Sequence, residues 1–238
     1  QWSYNLLSEG EKQLLRRMAV FQGGATLVAL EAVCNQDSSR DVDVLEGTTA
    51  LVDKNLIQPR AGSDEESRFW MLETIHEYAW EKLQESGEAE RLHRQHALYF
   101  MHLAEEAEPH LTGGMQTEWL NRLGDEYDNI RAALRWASEV GSTEVEALEI
   151  GLRTVGAIPR FWNTRSNISE GRAQIEKLLS LLGDVSVQTL NTNRSSLFGR
   201  EMVKALSGAG LMALNQMDRS VARTRGEQAL ELARELDD

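Results

Sequence analysis

The chain has 238 residues, of which 41% are hydrophobic and 26% charged, and its mean hydropathy is −0.43. This length and composition are typical of a folded protein, and they exclude a disulfide-stapled miniprotein and a disordered tail. The 25 basic and 38 acidic residues give a formal net charge of −13. Such a charge argues against general binding of nucleic acid or of anionic membranes.

The cysteine content, the hydrophobic stretches and the first residues indicate the cellular compartment of the protein and the extent of the chain. The single cysteine, Cys34, cannot form an internal disulfide, so a reducing, cytoplasmic setting is expected. No stretch approaches the roughly eighteen uncharged apolar residues of a membrane span. Residues 1–4 resemble neither a basic signal segment nor a start at an initiator methionine, so we expect the chain to be a piece of a longer protein.

Three short helices are predicted before residue 54. The first begins with a capping box formed by Ser8 and Glu11 and ends at the glycine pair Gly23 and Gly24. Thr26 caps the second helix, and a third helix starts at Asp41 after a polar loop at residues 35–40. Each helix carries apolar residues on one face, among them Leu14, Leu15, Met18, Phe21, Leu27, Leu30, Val33, Val44, Leu45, Leu51 and Val52.

A β-hairpin follows the three helices. Residues 56–60 and 68–71 have strand composition, and the polar run at 61–67 between them forms the tip. Three helices and a hairpin make a winged helix, which we place at residues 1–85.

The remainder, residues 86–238, is predicted to be an array of α-helical hairpins. A helix from Glu73 to Gly87 connects to this array, and further helices are expected over residues 88–107, 119–140, 143–162, 169–182, 200–217 and 218–236. Residues 183–196 are predicted as the one long loop. Small residues at Gly210, Ala222 and Ala229 give the last hairpin a resemblance to a tetratricopeptide repeat. The predicted fold is thus mainly α, a winged-helix domain followed by a tetratricopeptide-like array.

The sequence predicts neither a catalytic nor a metal site. It contains no phosphate-binding Gly-x-x-x-x-Gly-Lys-Ser/Thr motif, and its five histidines lack zinc-site spacing. We therefore expect no enzyme activity and no cofactor in this chain. Two arginines and two aromatics at a predicted helix end form a candidate contact patch on the helical arm: Arg160, Phe161, Trp162 and Arg165.

Winged helices often bind DNA through their third helix. Here that helix carries Asp41, Asp43, Glu46 and Asp53, and residues 1–85 hold eight basic and fifteen acidic residues, a net charge of −7. This charge favours a fragment with no direct contact to nucleic acid. A DNA-binding winged-helix transcription factor and a free-standing repeat scaffold remain as alternatives.

Several stretches resemble bacterial signal-transduction ATPases of the STAND and NB-ARC type, found in LuxR-type and maltose-activator-like transcriptional regulators. In the winged helix these stretches are residues 14–24, 51–57 and 68–79, and downstream they are residues 94–100, 126–134 and 169–172. The similarity covers most of the chain outside the long loop.

The resemblance implies a lid and a sensor arm of an ATP-switched regulator. ATP or ADP would bind an upstream ATPase domain, the winged helix would pack on that domain, and the arm would receive a protein partner or a small-molecule inducer. Related proteins end the winged helix with a Met-His-Asp motif whose histidine contacts the nucleotide phosphate. Here Met71, Leu72 and Glu73 occupy those positions, and His76 lies one helical turn further on. The predicted function is a non-catalytic regulatory and sensor fragment.

Overall fold

The computed structural model describes residues 2–35, 43–63, 66–184 and 194–237. The chain divides into two compact units. The winged-helix unit comprises Gln1–Tyr99 and Gly124–Ala132, and the helical unit comprises Phe100–Leu123 and Ala133–Asp238. The first unit thus takes in residues beyond the predicted domain boundary at residue 85.

The winged-helix unit combines short helices with a small antiparallel sheet. Its strands are β1 (Ala25–Thr26), β2 (Ile57–Ala61) and β3 (Ser67–Met71), in the order β1-β3-β2. Its helices are α1 (Trp2–Asn5), α2 (Glu9–Met18), α3 (Leu27–Cys34), α4 (Val44–Asp53) and α5 (Glu73–Ser86). The hairpin of β2 and β3 is the wing. The predicted winged helix is confirmed, and β1 is an addition that the sequence did not predict.

Local capping explains where these helices begin. The Ser8 side chain accepts from the Glu11 amide, and the Glu11 carboxylate accepts from the Ser8 amide, which confirms the predicted capping box. Thr26 caps α3 as predicted, and Asp43 caps α4 by accepting from the Glu46 amide at 2.8 Å. The first helix ends at Met18 and not at the glycine pair. The predicted helix start at Asp41 lies outside the described residues.

The core of this unit lies between the helices and the inner face of the sheet. Leu14, Leu30, Leu51 and Ile57 are fully buried there. A Cβ at Gly47 would lie 2.7 Å from Leu14 Cδ2, so glycine allows α4 to approach α2 closely. Burying each of these large aliphatic side chains stabilises the unit by about 1.5–3 kcal/mol.

The remaining helices run to the end of the described chain. They are α6 (Ala89–Ala107), a 3-10 turn (Glu108–His110), α7 (Gln116–Asp125), α8 (Tyr127–Val140), α9 (Val145–Ala157), α10 (Pro159–Thr164), α11 (Ile168–Asp184), α12 (Arg194–Asn215) and α13 (Arg219–Asp237). The mainly helical fold predicted from the sequence is confirmed. The predicted long loop at residues 183–196 falls largely outside the described residues. No described helix is long and apolar enough to cross a membrane.

Two predicted helices are each divided in two. The helix expected over 143–162 is interrupted before Pro159, because proline lacks the amide hydrogen and its ring clashes with the preceding turn. The helix expected over 119–140 breaks at Glu126. The carboxylate of Glu126 is buried against Arg68, so a tertiary contact occupies the residue at this break.

Candidate functional site

Helix α4 follows α3 in the winged-helix unit and offers one exposed face. Val44, Gly47, Thr48 and Leu51 are buried, whereas Leu45, 59% exposed, lies on the outer face with Glu46 and Thr49. The Thr49 hydroxyl donates to the Leu45 carbonyl at 2.8 Å. The outward face therefore presents apolar groups, a hydroxyl and a carboxylate.

The wing presents one exposed arginine, Arg60. In the β2–β3 register, Arg60 lies directly opposite Arg68 and Gln58 opposite Trp70. The exposed Arg60 places its guanidinium 4.9 Å from the centroid of the Trp70 ring. Arg68, in contrast, is only 5% exposed.

A glycine turn joins α2 to β1 behind the wing. Gly23 and Gly24 both have φ of 78°, a left-handed conformation that glycine adopts without strain. A Cβ at Gly24 would lie 2.9 Å from the Phe69 carbonyl oxygen and 3.0 Å from carbons of the Trp70 ring. The turn thus requires glycine for its backbone angle and for its close approach to β3.

Four buried polar side chains form what we call the α8 cluster: Arg68, His96, Glu126 and Asn129. The Arg68 guanidinium donates to both carboxylate oxygens of Glu126, at 2.5 and 3.1 Å. The Asn129 amide donates to Glu126 and to the Gly24 carbonyl, both at 2.9 Å. Its oxygen accepts from the Gln22 amide at 2.7 Å. The cluster therefore connects the start of α8 to the glycine turn and to β3.

His96 completes the α8 cluster as a neutral side chain. Its Nε2 lies 3.3 Å from the Asn129 oxygen, which makes Nε2 the nitrogen that carries the hydrogen. Burial lowers the pKa of His96 to about 3, although the contact with Asn129 acts in the opposite direction. At neutral pH His96 is therefore an uncharged hydrogen-bond donor.

A second charged cluster, at Glu88, also lies within the winged-helix unit. The Glu88 carboxylate accepts from Arg16 at 2.8 Å, from Arg17 at 3.0 Å and from Arg91 at 3.2 Å. Burial raises the pKa of Glu88, but the hydrogen bonds from Arg17 and Arg16 outweigh it and the net pKa is lowered. Arg17 is 2% exposed and also donates to the Cys34 carbonyl. One carboxylate thus compensates three arginines.

Three of the four predicted nucleotide-facing residues line one small cavity. Met71, Glu73 and His76 surround it with residues of the glycine turn, and its volume is about 100 Å³. His76 Nε2 lies 3.1 Å from the Phe21 carbonyl oxygen. Leu72 is 49% exposed outside the cavity. Contact of these residues with nucleotide stays a prediction.

The aromatic half of the predicted contact patch needs correction. Phe161 and Trp162 are buried in the helical unit, and a Cβ at Gly171 would lie 2.5 Å from the Trp162 ring. Apolar burial thus takes both rings into the core. Arg160 and Arg165 are exposed, and Arg165 donates to Asn121. A contact role for the two arginines stays a prediction.

The structure also describes the Cys34 thiol and the side chains that are possible metal ligands. Burial raises the pKa of the Cys34 thiol to about 12, so Cys34 is a small buried hydrophobe and not a thiolate nucleophile. Within the described ranges, no group of three or more histidine, cysteine or acidic side chains could hold a metal ion.

One known family matches the sequence of the first unit. Residues 7–84 match the family described as a winged helix-turn-helix domain. The match covers α2, α3, α4, the whole wing and most of α5. The comparison with solved structures gives no match.

Several mycobacterial proteins are similar to this chain. Proteins of Mycobacterium bovis and of Mycobacterium tuberculosis strain H37Rv, both provisionally named as HTH-type transcriptional regulators, are 35% identical over 178 residues. That alignment covers 75% of this chain and 19% of each relative. An uncharacterised protein of M. tuberculosis H37Rv is 40% identical over 96 residues, 38% of this chain and 23% of that protein. The chain spans about a fifth of the length of the curated relatives it matches.

These comparisons correct one expectation from the sequence. The prediction that this fragment makes no direct contact with nucleic acid is wrong, because the match to a winged helix-turn-helix domain and the HTH-type relatives indicate DNA binding. The prediction relied on a net charge, which sums over the whole surface. Several acidic groups in that sum serve other roles, since Glu11 pairs with Lys54 and Asp43 caps α4. Residues 7–84 are therefore similar, in sequence and in fold, to winged helix-turn-helix domains.

Proposed function

We propose that this chain is part of a transcriptional regulator and that its winged-helix unit binds duplex DNA. The observation that carries the proposal is the arrangement of α3, α4 and the wing in the segment that matches a winged helix-turn-helix domain. In such domains the second helix of the helix-turn-helix enters the major groove. Here that helix is α4, with the wing beside it.

The exposed groups define how this interface would contact DNA. Leu45 and the Thr49 methyl group suit contact with thymine methyl groups, and the Glu46 carboxylate suits the amino group of cytosine. Arg60 of the wing is a cation for the phosphate backbone. Because few cations lie on the described face of α4 and the wing, we expect weak sequence-independent binding and a shallow dependence of affinity on salt.

The test is fluorescence anisotropy of a labelled 30-base-pair duplex of mixed sequence, titrated with the 238-residue chain at several salt concentrations. We expect binding at low salt and a linear fall of log affinity with log salt. Arg60→Gln should weaken binding and reduce that slope by about 1, because one phosphate contact is lost. Arg160→Gln, which removes an exposed arginine of the helical unit, is the matched control and should change neither quantity. Equal slopes for the wild type and Arg60→Gln would contradict the proposed interface, and no binding at about 50 mM salt would contradict the function.

A second candidate is the ATP-switched regulator that the resemblance implies. It rests on the resemblance of the sequence, and three of the residues it implies, Met71, Glu73 and His76, lie around one cavity beside the glycine turn. In this proposal the chain catalyses no reaction, ATP or ADP binds elsewhere in the longer protein, and the arm modulates nucleotide affinity. Isothermal titration of ATP into the longer protein tests it. Deletion of residues 86–238 should change the affinity, and an unchanged affinity would contradict the coupling.

A further inference from the structure

We propose that Glu126, which immediately precedes α8, and Asn129 of α8 are positioning residues for the DNA-contacting wing. The inference rests on the proposed function and extends the DNA-binding unit beyond residues 7–84, the segment that matches the family. Two independent sets of contacts, one electrostatic and one through the backbone of the glycine turn, lead to it.

The electrostatic contact concerns the two arginines of the wing. Arg60 and Arg68 lie directly opposite each other on the paired strands β2 and β3, and like charges in that position repel each other. Glu126, 4% exposed, compensates Arg68 with two hydrogen bonds. Its negative charge allows Arg60 to stay on the exposed face of the wing, over Trp70. Glu126 therefore acts on DNA contact through Arg68 and Arg60.

The backbone contacts fix the wing from the other side. Asn129 is fully buried, and its amide group binds the Gln22 amide and the Gly24 carbonyl. Arg68 donates to the same Gly24 carbonyl at 3.2 Å. The glycine turn continues into β1, which pairs with β3 through Thr26 and Arg68. The start of α8 thus holds β3 directly and also through β1.

The first experiment is a double-mutant cycle between Glu126 and Arg60, two residues that are connected through Arg68. Amide hydrogen exchange of residues 67–71 is measured by mass spectrometry in the 238-residue chain with Glu126→Gln, Arg60→Gln, both or neither. We expect Glu126→Gln to speed exchange of β3 about tenfold or more, since it leaves Arg68 buried without its charge partner. The acceleration should be at least about threefold smaller in the Arg60→Gln background, because the repulsion is then absent. Glu139→Gln, an exposed change in α8, is the control.

Additive effects in this cycle would overturn the electrostatic part of the proposal. Should Glu126→Gln unfold the unit, the double substitution Arg68→Gln with Glu126→Gln is used in its place, because it removes both buried charges of this pair. In that background Arg60→Gln should not change exchange of β3, and a persisting effect would equally overturn the proposal.

The second experiment separates positioning from general stability. Asn129→Ala should speed exchange of residues 22–26 and 67–71 about tenfold while α2 and α4 change little. It should weaken binding of the mixed-sequence duplex and leave the salt slope unchanged, because Arg60 is still present. Equal acceleration in α2 and α4 would show a merely structural role and overturn the inference. If the wild type does not bind the duplex, the proposed function fails, whereas the exchange cycle still decides whether α8 positions the wing.

Discussion

Glu88→Gln is the sharpest test of what stabilises the winged-helix unit. The substitution keeps the size of the side chain and one acceptor oxygen but removes the charge that compensates Arg16, Arg17 and Arg91. Hydrogen bonds to charged groups contribute about 1.5–3 kcal/mol each, and breaking a buried pair costs about 3–5 kcal/mol. Because Glu88 is partly exposed, its side chain being 18% accessible, we expect a loss near the lower limit, about 3 kcal/mol.

The pH dependence of this loss follows from the pKa. Since the pKa of Glu88 is lowered on folding from its ordinary value of 4.5, its charge stabilises the folded state fully above about pH 4.5. That stabilisation disappears as the pH falls through the folded pKa. Glutamine does not titrate, so the difference between wild type and Glu88→Gln should be constant at neutral pH and shrink in acid.

The assay is native-state hydrogen exchange of the α2 amides. It gives the free energy of opening, at pH 7 and again in the acid range. Glu90→Gln, an exposed change two residues further on in α6, is the control and should cost less than about 0.5 kcal/mol. Two results would refute the reasoning: a loss for Glu88→Gln no larger than that of the control, or a loss that does not diminish in acid.

Three further predictions test the glycine turn, the buried His96 of the winged-helix unit and the buried Phe161 of the helical unit. Gly24→Ala should destabilise the unit by more than about 1 kcal/mol, because its Cβ would meet β3 and its φ is positive; a melting temperature within error of the wild type would contradict this. The buried His96 has a pKa of about 3, so between pH 6.5 and 3 only the unfolded state takes up its proton. The free energy of unfolding should therefore decrease by up to about 1.4 kcal/mol for each pH unit by which the pH is lowered in this range. His96→Gln should flatten that slope in urea titrations, and an unchanged slope would exclude His96 as its source. Phe161→Ala should cost about 3–5 kcal/mol in thermal unfolding, whereas Arg160→Ala should change the stability by less than about 0.5 kcal/mol, and a small loss for Phe161→Ala would contradict its burial in the core.

Local sequence signals determined the elements of this protein. Ser8 with Glu11, and Thr26, set helix starts that the structure confirms, and Gly87 ends α5 in a left-handed conformation with φ of 73°. These signals could be read directly because each operates within about four residues of the helix end it determines. The strand composition on both sides of the polar tip likewise predicted the wing, and hence the winged helix.

Only the tertiary structure decided which charged and aromatic residues are buried. Arg68 pairs with Glu126 at a separation of 58 residues, and Arg17 with Glu88 at 71, and no periodic pattern in the sequence records such a pair. The aromatics Phe161 and Trp162 were predicted as part of a contact patch, but both are buried, and Trp162 packs against Gly171 in the core. The net charge of −7 of residues 1–85 similarly does not report the positions or the partners of the acidic residues. The physical reason is the same in each case: burial and charge compensation depend on which distant segments meet, whereas helix starts and ends depend on neighbours in the chain.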